Sequence, residues 1–425
     1  MIHIFKNILK HWPFVILIFL LLLAQAYGDL ALPQYTSDII DTGIQNKGIE
    51  HIVPEKITKE EYDNAILFMT DNEAKSFSKC YKKDNDYYVI KDLSKDEYEL
   101  VDESLLLPIV INYQSEINNK REEYLAAAKS GMINDEVILK MRDSYNKMIE
   151  SVGDSTLESM AIAWVALRET ESGVDLDKKQ TDYLIHSCFK MILMALLIGV
   201  TVIFVSLFAA IVGGRIGRDL RVKVFTKVMS FSNTEMDKFS TASLITRNTN
   251  DIQQVQMVST LFLRMLLYAP ILGTGGVIKV YQTGANMGFI IVYAVLIVIG
   301  LVLMLLAITG KKFKLLQKQI DRINLVAREM LTGISVIRAF GRENEIEEKF
   351  DKANIELTKT HLFVNRVMSF MMPGMMLIMY GVNIVIVWVS AHRIDEGMLE
   401  VGTMTAFLTY SIQIIMSFLM LSMMS

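Results

Sequence analysis

Six runs of about 20 mostly apolar residues, the length a helix needs to cross a bilayer, lie at roughly Trp12–Leu32, Ile185–Val212, Thr260–Val280, Met287–Ile308, Phe363–Val389 and Gly402–Met424. Hydrocarbon supplies no hydrogen-bond partners, so each run must satisfy its backbone within its own helix. Only six prolines occur in 425 residues, and most of the runs are uninterrupted. With 52% hydrophobic residues and a mean hydropathy of +0.33, the chain is predicted to be an all-α integral membrane protein.

The basic residues set its orientation. Residues 213–259 carry Arg215, Arg218, Arg221, Lys223, Lys227, Lys238 and Arg247, and residues 309–362 carry a second basic series from Lys311 to Lys359. The short loops at 281–286 and 390–401 hold Arg393 as their one basic residue. By the positive-inside rule the basic stretches are cytoplasmic, together with both termini. Lys6 and Lys10 before the first apolar run, with Ala24-Gln25-Ala26 after its middle, resemble a cleavable signal peptide. The apolar character continues to Leu32, so a retained first span is the reading adopted; Asp29, near its outer end, is expected to reach the interface.

Between the first two runs, residues 34–182 hold 31 acidic against 18 basic residues, and long segments of this kind translocate regardless of charge. A small α+β extracytoplasmic insert is expected over 34–183. It would contain a strand over Asp86–Leu93 and helices over Glu122–Met132 and Asn134–Val152. Its acidity suits cationic ligands or peptides. Cys80 and Cys188 have no metal-ligand spacing and are expected to be free, buried thiols.

The cytoplasmic stretches are patterned as extended helices. Ile216, Leu220, Val224 and Val228 line one side of the first, which should stop near Ser232-Asn233, with Ser240 or Thr241 capping a returning helix. In the second, Leu316, Ile320, Ile323, Ala327, Met330, Ile334 and Ile337 form a heptad-like seam. Without proline, Lys311–Ile337 can carry the fourth span about 40 Å beyond the membrane. Each stretch is therefore a hairpin with a turn far from the bilayer.

Three strings on these segments carry a family resemblance. Gly213–Val228, with Met236–Phe239 and Leu244–Val255, resembles the second span and first intracellular loop of the transmembrane domain of ABC exporters. Arg328–Glu343 is similar to that family's second intracellular loop, and Gly397–Tyr410 to the entry into its sixth span. The likeness covers about residues 1–33 and 184–425, taken as the six-span domain, and leaves out the insert. It implies a half-transporter of the multidrug, lipid or peptide type in a bacterial plasma membrane. Expected partners are a second half-transporter (identical or different), nucleotide-binding domains and membrane lipids, without nucleic acid.

The resemblance also implies two coupling helices that dock on nucleotide-binding domains. Carried onto this sequence, the first comprises Glu235, Met236, Asp237, Lys238 and Phe239, and the second Ala339, Phe340, Gly341, Arg342 and Glu343. No GxxxxGK[ST] motif occurs, so ATP and Mg are expected on a nucleotide-binding domain and not on these residues. That domain is expected to follow Ser425 in the same chain, with a separate polypeptide as the alternative. No catalytic or metal-ligating residue is predicted.

For the substrate pathway, methionines of the fifth and sixth spans offer adaptable apolar walls, with Met375, Met379 and Met416 as candidates. Asn383 and Gln413 lie deep in those spans, where an amide requires a helix partner or the cavity. Lys190, Arg264, Lys279 and Arg366 fall near span ends and can snorkel. Pro373-Gly374 marks an expected kink. The leading function is ATP-driven outward export of amphipathic compounds, lipids or peptides. A receptor or sensor with an extracytoplasmic ligand-binding domain is the alternative, and a channel a third reading that lacks a row of charged pore residues.

Overall fold

A computed structural model describes residues 10–84, 86–129, 138, 153–236, 239–283 and 287–423. Among them, six helical stretches are long and apolar enough to cross a membrane: Trp12–Gln45, Leu176–Met229, Thr241–Gln282, Gly288–Ala339, Glu343–Asp395 and Val401–Ser422. Each expected apolar run lies within or overlaps one of them. The backbone divides into two compact units, Met1–Asn286 with Val385–Tyr410, and Met287–Ile384 with Ser411–Ser425.

In the first unit, α1 (Trp12–Asp38) continues as a π-helical segment, Ile39–Gln45, well past the expected end of the first span. Five further elements build the start of the polar insert: β1 (Lys56–Thr58), α2 (Lys59–Ile66), α3 (Asp71–Cys80), β2 (Tyr81–Asp84) and β3 (Tyr87–Ile90). Helices α4 (Lys95–Ile117), α5 (Arg121–Lys129) and α6 (Asp154–Glu171) follow. The strands form an antiparallel sheet in the order β1-β3-β2, with Ile57 opposite Tyr88 and Lys83 also opposite Tyr88. Only β3 was expected; β1 (Lys-Ile-Thr) and β2 (Tyr-Lys-Lys-Asp) lack the run of aromatic and β-branched residues that marks β3 (Tyr-Tyr-Val-Ile). Of the two expected insert helices, the first is α5 as far as it is described. The second, Asn134–Val152, lies outside the described residues apart from Ile138.

Local chemistry explains where the insert's helices begin. Thr70 with Glu73, and Ser94 with Glu97, form capping boxes at the starts of α3 and α4. Ile49, Ile57, Tyr62, Phe77, Leu105 and Trp164 belong to one buried apolar cluster. Arg168 of α6, 1% exposed, is bonded to Glu61 and to Glu116 at 2.6 Å, and Arg121 also reaches both carboxylates. Burial works to raise the Glu61 pKa, but the hydrogen bond from Arg121 and the charge of Arg168 outweigh it and hold it below the ordinary value.

Helix α7 (Leu176–Met229) is one rod of 54 residues that leaves the insert and runs far past the second apolar run. Ile18 and Leu22 of α1 share a buried cluster with Val205, Ala209, Val212 and Ile216 of α7. A short helix, α8 (Asn233–Met236), precedes the return through α9 (Thr241–Thr246), a π-turn, α10 (Ile252–Leu261), a second π-turn and α11 (Tyr268–Gln282). The Gly213-x-x-x-Gly217 pair lets α10 approach α7 closely: a Cβ at Gly213 would lie 2.1 Å from Thr260 Oγ1. Cys80 is buried and free, as expected. Cys188 is also free but exposed in the single chain, a correction to the buried reading, because it lies on an outward face of α7.

The second unit is built on an antiparallel hairpin of α12 (Gly288–Ala339) and α13 (Glu343–Ser369), joined by two ion pairs, Arg322–Glu356 and Lys349–Glu329. Exposed pairs of this kind contribute little stability. Both are equidistant in sequence from Ala339, so they report a single register along the hairpin. Along α12 most of the expected seam turns inward: Leu316 is buried and Ile323, Ala327, Met330 and Ile337 are half-buried, whereas Ile320 and Ile334 are exposed and their neighbours Gln319 and Gly333 are half-buried in their place. The inward positions 316, 319, 323, 326, 330, 333 and 337 alternate steps of three and four, the repeat of a heptad seam.

Helix α14 (Met371–Asp395) starts anew after a break at Phe370, just before the expected Pro373-Gly374 kink. Proline at 373 donates no hydrogen bond, which leaves the Ser369 carbonyl without its helical partner. The last helix is α15 (Val401–Met423).

Candidate functional site

The two hairpin turns carry the predicted coupling residues. At the first, the Ser232 N–H and hydroxyl donate to Glu235 Oε2 at 2.9 and 3.0 Å, closing the turn that starts α8. These bonds hold the Glu235 carboxyl below its ordinary pKa, the backbone bond first. Met236 is exposed. Asp237 and Lys238 lie outside the described residues. Phe239 stacks on Phe231 with ring centres 5.7 Å apart, and the Arg247 guanidinium lies 5.3 Å from the Phe239 ring. Ser240 Oγ accepts from the Ser243 N–H, capping α9 as expected.

The second turn is more tightly specified. The Arg342 N–H donates to the Ile337 carbonyl at 3.0 Å and the Gly341 N–H to that of Arg338 at 3.3 Å, a Schellman closure of α12. Gly341 has φ of +59°, and nothing lies within 4 Å of where a Cβ would be; glycine serves the backbone angle alone. Arg342 pairs with Glu345 at 2.8 Å in the first turn of α13. Phe340 is 77% exposed and Ala339, Gly341, Arg342 and Glu343 are exposed with it. A rigid double helix therefore ends in an aromatic side chain that nothing among the described residues covers.

The candidate pathway residues all lie in the second unit, but they do not share one environment. Met375 is 2% exposed, Met379, Asn383 and Gln413 are half-buried, and Met416 is 38% exposed. Asn383 Oδ1 accepts from the Ser411 hydroxyl at 3.1 Å, a partner between the fifth and sixth spans that periodicity had not indicated.

Two polar clusters of the first unit escaped sequence reasoning. Tyr268 of α11 donates its hydroxyl to Asp29, so this carboxylate is half-buried and engaged rather than free to reach the interface. Farther along α1, Asp41 is 5% exposed and accepts from the Gly402 N–H at 2.7 Å and from the Ser37 hydroxyl at 3.2 Å. Glu400 faces the same carboxyl group. Burial first, then the charge of Asp41 and a hydrogen bond to it, push Glu400 up to about 7. Neither partner could be found from sequence, since Asp29 and Asp41 meet groups 239 and 361 positions away. Among the described residues no cluster of His, Cys, Asp or Glu is arranged to hold a metal.

Six membrane-capable helices with hairpins extending beyond the apolar runs define a multi-pass membrane protein of the transporter-core class. Residues 156–418 match the family described as the ABC transporter transmembrane region, and the chain belongs to that family. It is 33% identical over 211 residues to an uncharacterized ABC transporter ATP-binding protein of Mycobacterium tuberculosis strain H37Rv, covering 50% of this chain and 36% of the relative. A Bacillus subtilis protein with the same description is 32% identical over 209 residues, covering 49% and 36% of the two chains. An ATP-dependent lipid A-core flippase of Pseudoalteromonas translucida is 26% identical over 183 residues, 42% of this chain and 31% of that protein. The chain thus spans about a third of the length of these curated relatives.

Proposed function

We propose that this chain is the transmembrane part of an ATP-driven exporter that moves amphipathic compounds, lipids or peptides outward across a bacterial plasma membrane. The observation that carries the reading is the second hairpin turn: a Schellman-closed tip on a long rigid hairpin, with Phe340 77% exposed. A nucleotide-binding domain with an apolar groove would cover that ring, and a stiff lever would transmit the domain's movement to the spans. Glu235 to Phe239 would form the first contact and Ala339 to Glu343 the second. Two copies, or this chain and a related one, would enclose the pathway, with ATP and Mg held on the nucleotide-binding domains.

The basic residues of both hairpins support a cytoplasmic position for them, with both termini on the same side and residues 34–183 outside. The names of the relatives, ATP-binding proteins and one lipid A-core flippase, support ATP as the energy source and admit lipid as one substrate class. The test is ATP-dependent accumulation in inverted vesicles from cells expressing the complete transporter, using an amphipathic dye, a fluorescent phospholipid and a short labelled peptide. Accumulation of at least one, abolished without ATP, is expected. Failure with all three would overturn the proposal.

A further inference from the structure

Phe363, Arg366, Val367 and Phe370 recur at helical spacing, so α13 and the break that ends it present them on one face. With Leu305 of α12 they line an open groove of 400 Å³. Phe363 and Phe370 are 42% and 65% exposed. Lys312 Nζ lies 5.5 Å from the centre of the Phe363 ring, at the edge of the same groove. Arg366 has neither a hydrogen bond nor an ion pair among the described residues. The groove lies where the apolar run of α12 gives way to Lys311, Lys312 and Lys314, and where that of α13 begins.

We propose that this groove binds an anionic phospholipid of the cytoplasmic leaflet. Its acyl chain lies against Phe363, Val367, Phe370 and Leu305, and its phosphate accepts from the Arg366 guanidinium, with Lys312 alongside. The inference rests on the orientation proposed above. A planar guanidinium matches phosphate oxygens in a bidentate fork. Apolar surface beside unpaired basic groups at this depth complements an anionic headgroup with its chains. A second copy of this chain covering the groove would have to bring a carboxylate to Arg366, because a buried unpaired guanidinium is strongly unfavourable.

Native mass spectrometry of the 425-residue chain, released from nanodiscs of equal phosphatidylglycerol and phosphatidylcholine, tests this. The expected result is preferential retention of phosphatidylglycerol, reduced about fivefold in Arg366→Gln and again in Arg366→Gln/Lys312→Gln. Arg366→Lys should keep most of the preference, which separates charge recognition from loss of fold, and Arg393→Gln should leave it unchanged. Equal retention of the two lipids, or a preference that survives the double substitution, overturns the proposal. So does an Arg366→Gln variant that keeps its lipid but loses a dimer seen in the same spectra, which would assign the groove to a second copy. Orientation is read separately, from labelling of Arg328→Cys by an impermeant maleimide in right-side-out vesicles after Cys80→Ser and Cys188→Ser. Labelling there would refute the orientation while leaving the lipid measurement intact.

Discussion

The Gly402 N–H donates to Asp41 Oδ1 at 2.7 Å, joining the start of the last helix to the π-helical extension of the first. Glu400 shares the site. The insert is fastened to the same loop, where the Thr156 N–H donates to the Gly397 carbonyl at 3.1 Å and the Gly153 N–H to that of Glu396 at 3.2 Å. Glu158 of α6 adds a third carboxyl facing Glu400. Carboxyl groups this close cannot all ionise without cost.

This arrangement makes stability depend on pH. The folded-state pKa of Glu400, about 7, lies above its ordinary 4.5, so folding favours the protonated form. Its stabilising contribution is complete below pH 4.5 and is lost as pH rises through 7. Glu400→Gln, which fixes a neutral group, should match the parent at pH 4 and exceed it at pH 8 by about 1–2 kcal/mol, a figure reduced for the site's partial exposure. Thermal unfolding in detergent across this range checks the sign, and parallel profiles for the two proteins would refute it.

Arg168 should be among the most sensitive positions of the insert. Its guanidinium is 1% exposed and neutralises Glu61 and Glu116. Arg168→Ala would remove the more deeply buried of the two guanidinium groups that hold these carboxylates and leave Arg121 alone to balance both, at a cost of about 3 kcal/mol. Limited proteolysis should show rapid cleavage between residues 46 and 175 in this variant, while Lys95→Ala, at a pair with 88% and 69% exposed side chains, should cleave as the parent does.

Phe340→Ala removes a ring that touches little, so the thermal midpoint should move by less than the equivalent of about 0.5 kcal/mol. In the complete transporter, substrate-stimulated ATPase and export should fall together. Normal coupling in this variant would remove Phe340 from the proposed contact.

Met375 and Gln413, both predicted to meet substrate, should now behave differently. Met375 is 2% exposed, so Met375→Ala opens a cavity and should destabilise by about 2 kcal/mol or more. Gln413 is half-buried in α15. Gln413→Leu should alter which substrates stimulate ATPase while leaving the thermal midpoint nearly unchanged. A drop in that midpoint with an unaltered substrate profile would reassign Gln413 to helix packing.

The sequence by itself determined the number and places of the membrane-capable helices, because a run of about 20 apolar residues has few other ways to satisfy its backbone. It also located both hairpin turns and the Ser240 cap, since capping and helix breaking act over a few neighbouring residues. The tertiary structure alone decided the pairings: Asp29 with Tyr268, Asp41 with Gly402, Asn383 with Ser411, and Arg168 with two glutamates. Each partner is chosen by how whole helices pack, and nothing local marks it. The same holds within the seam of α12, where Leu316 is buried and Ile323, Ala327, Met330 and Ile337 are half-buried as their spacing predicted, but Ile320 and Ile334 are exposed. Apolar spacing restricts the set of faces that can be buried, but the packing of whole helices selects which of two adjacent positions, such as Val326 and Ala327, turns furthest inward.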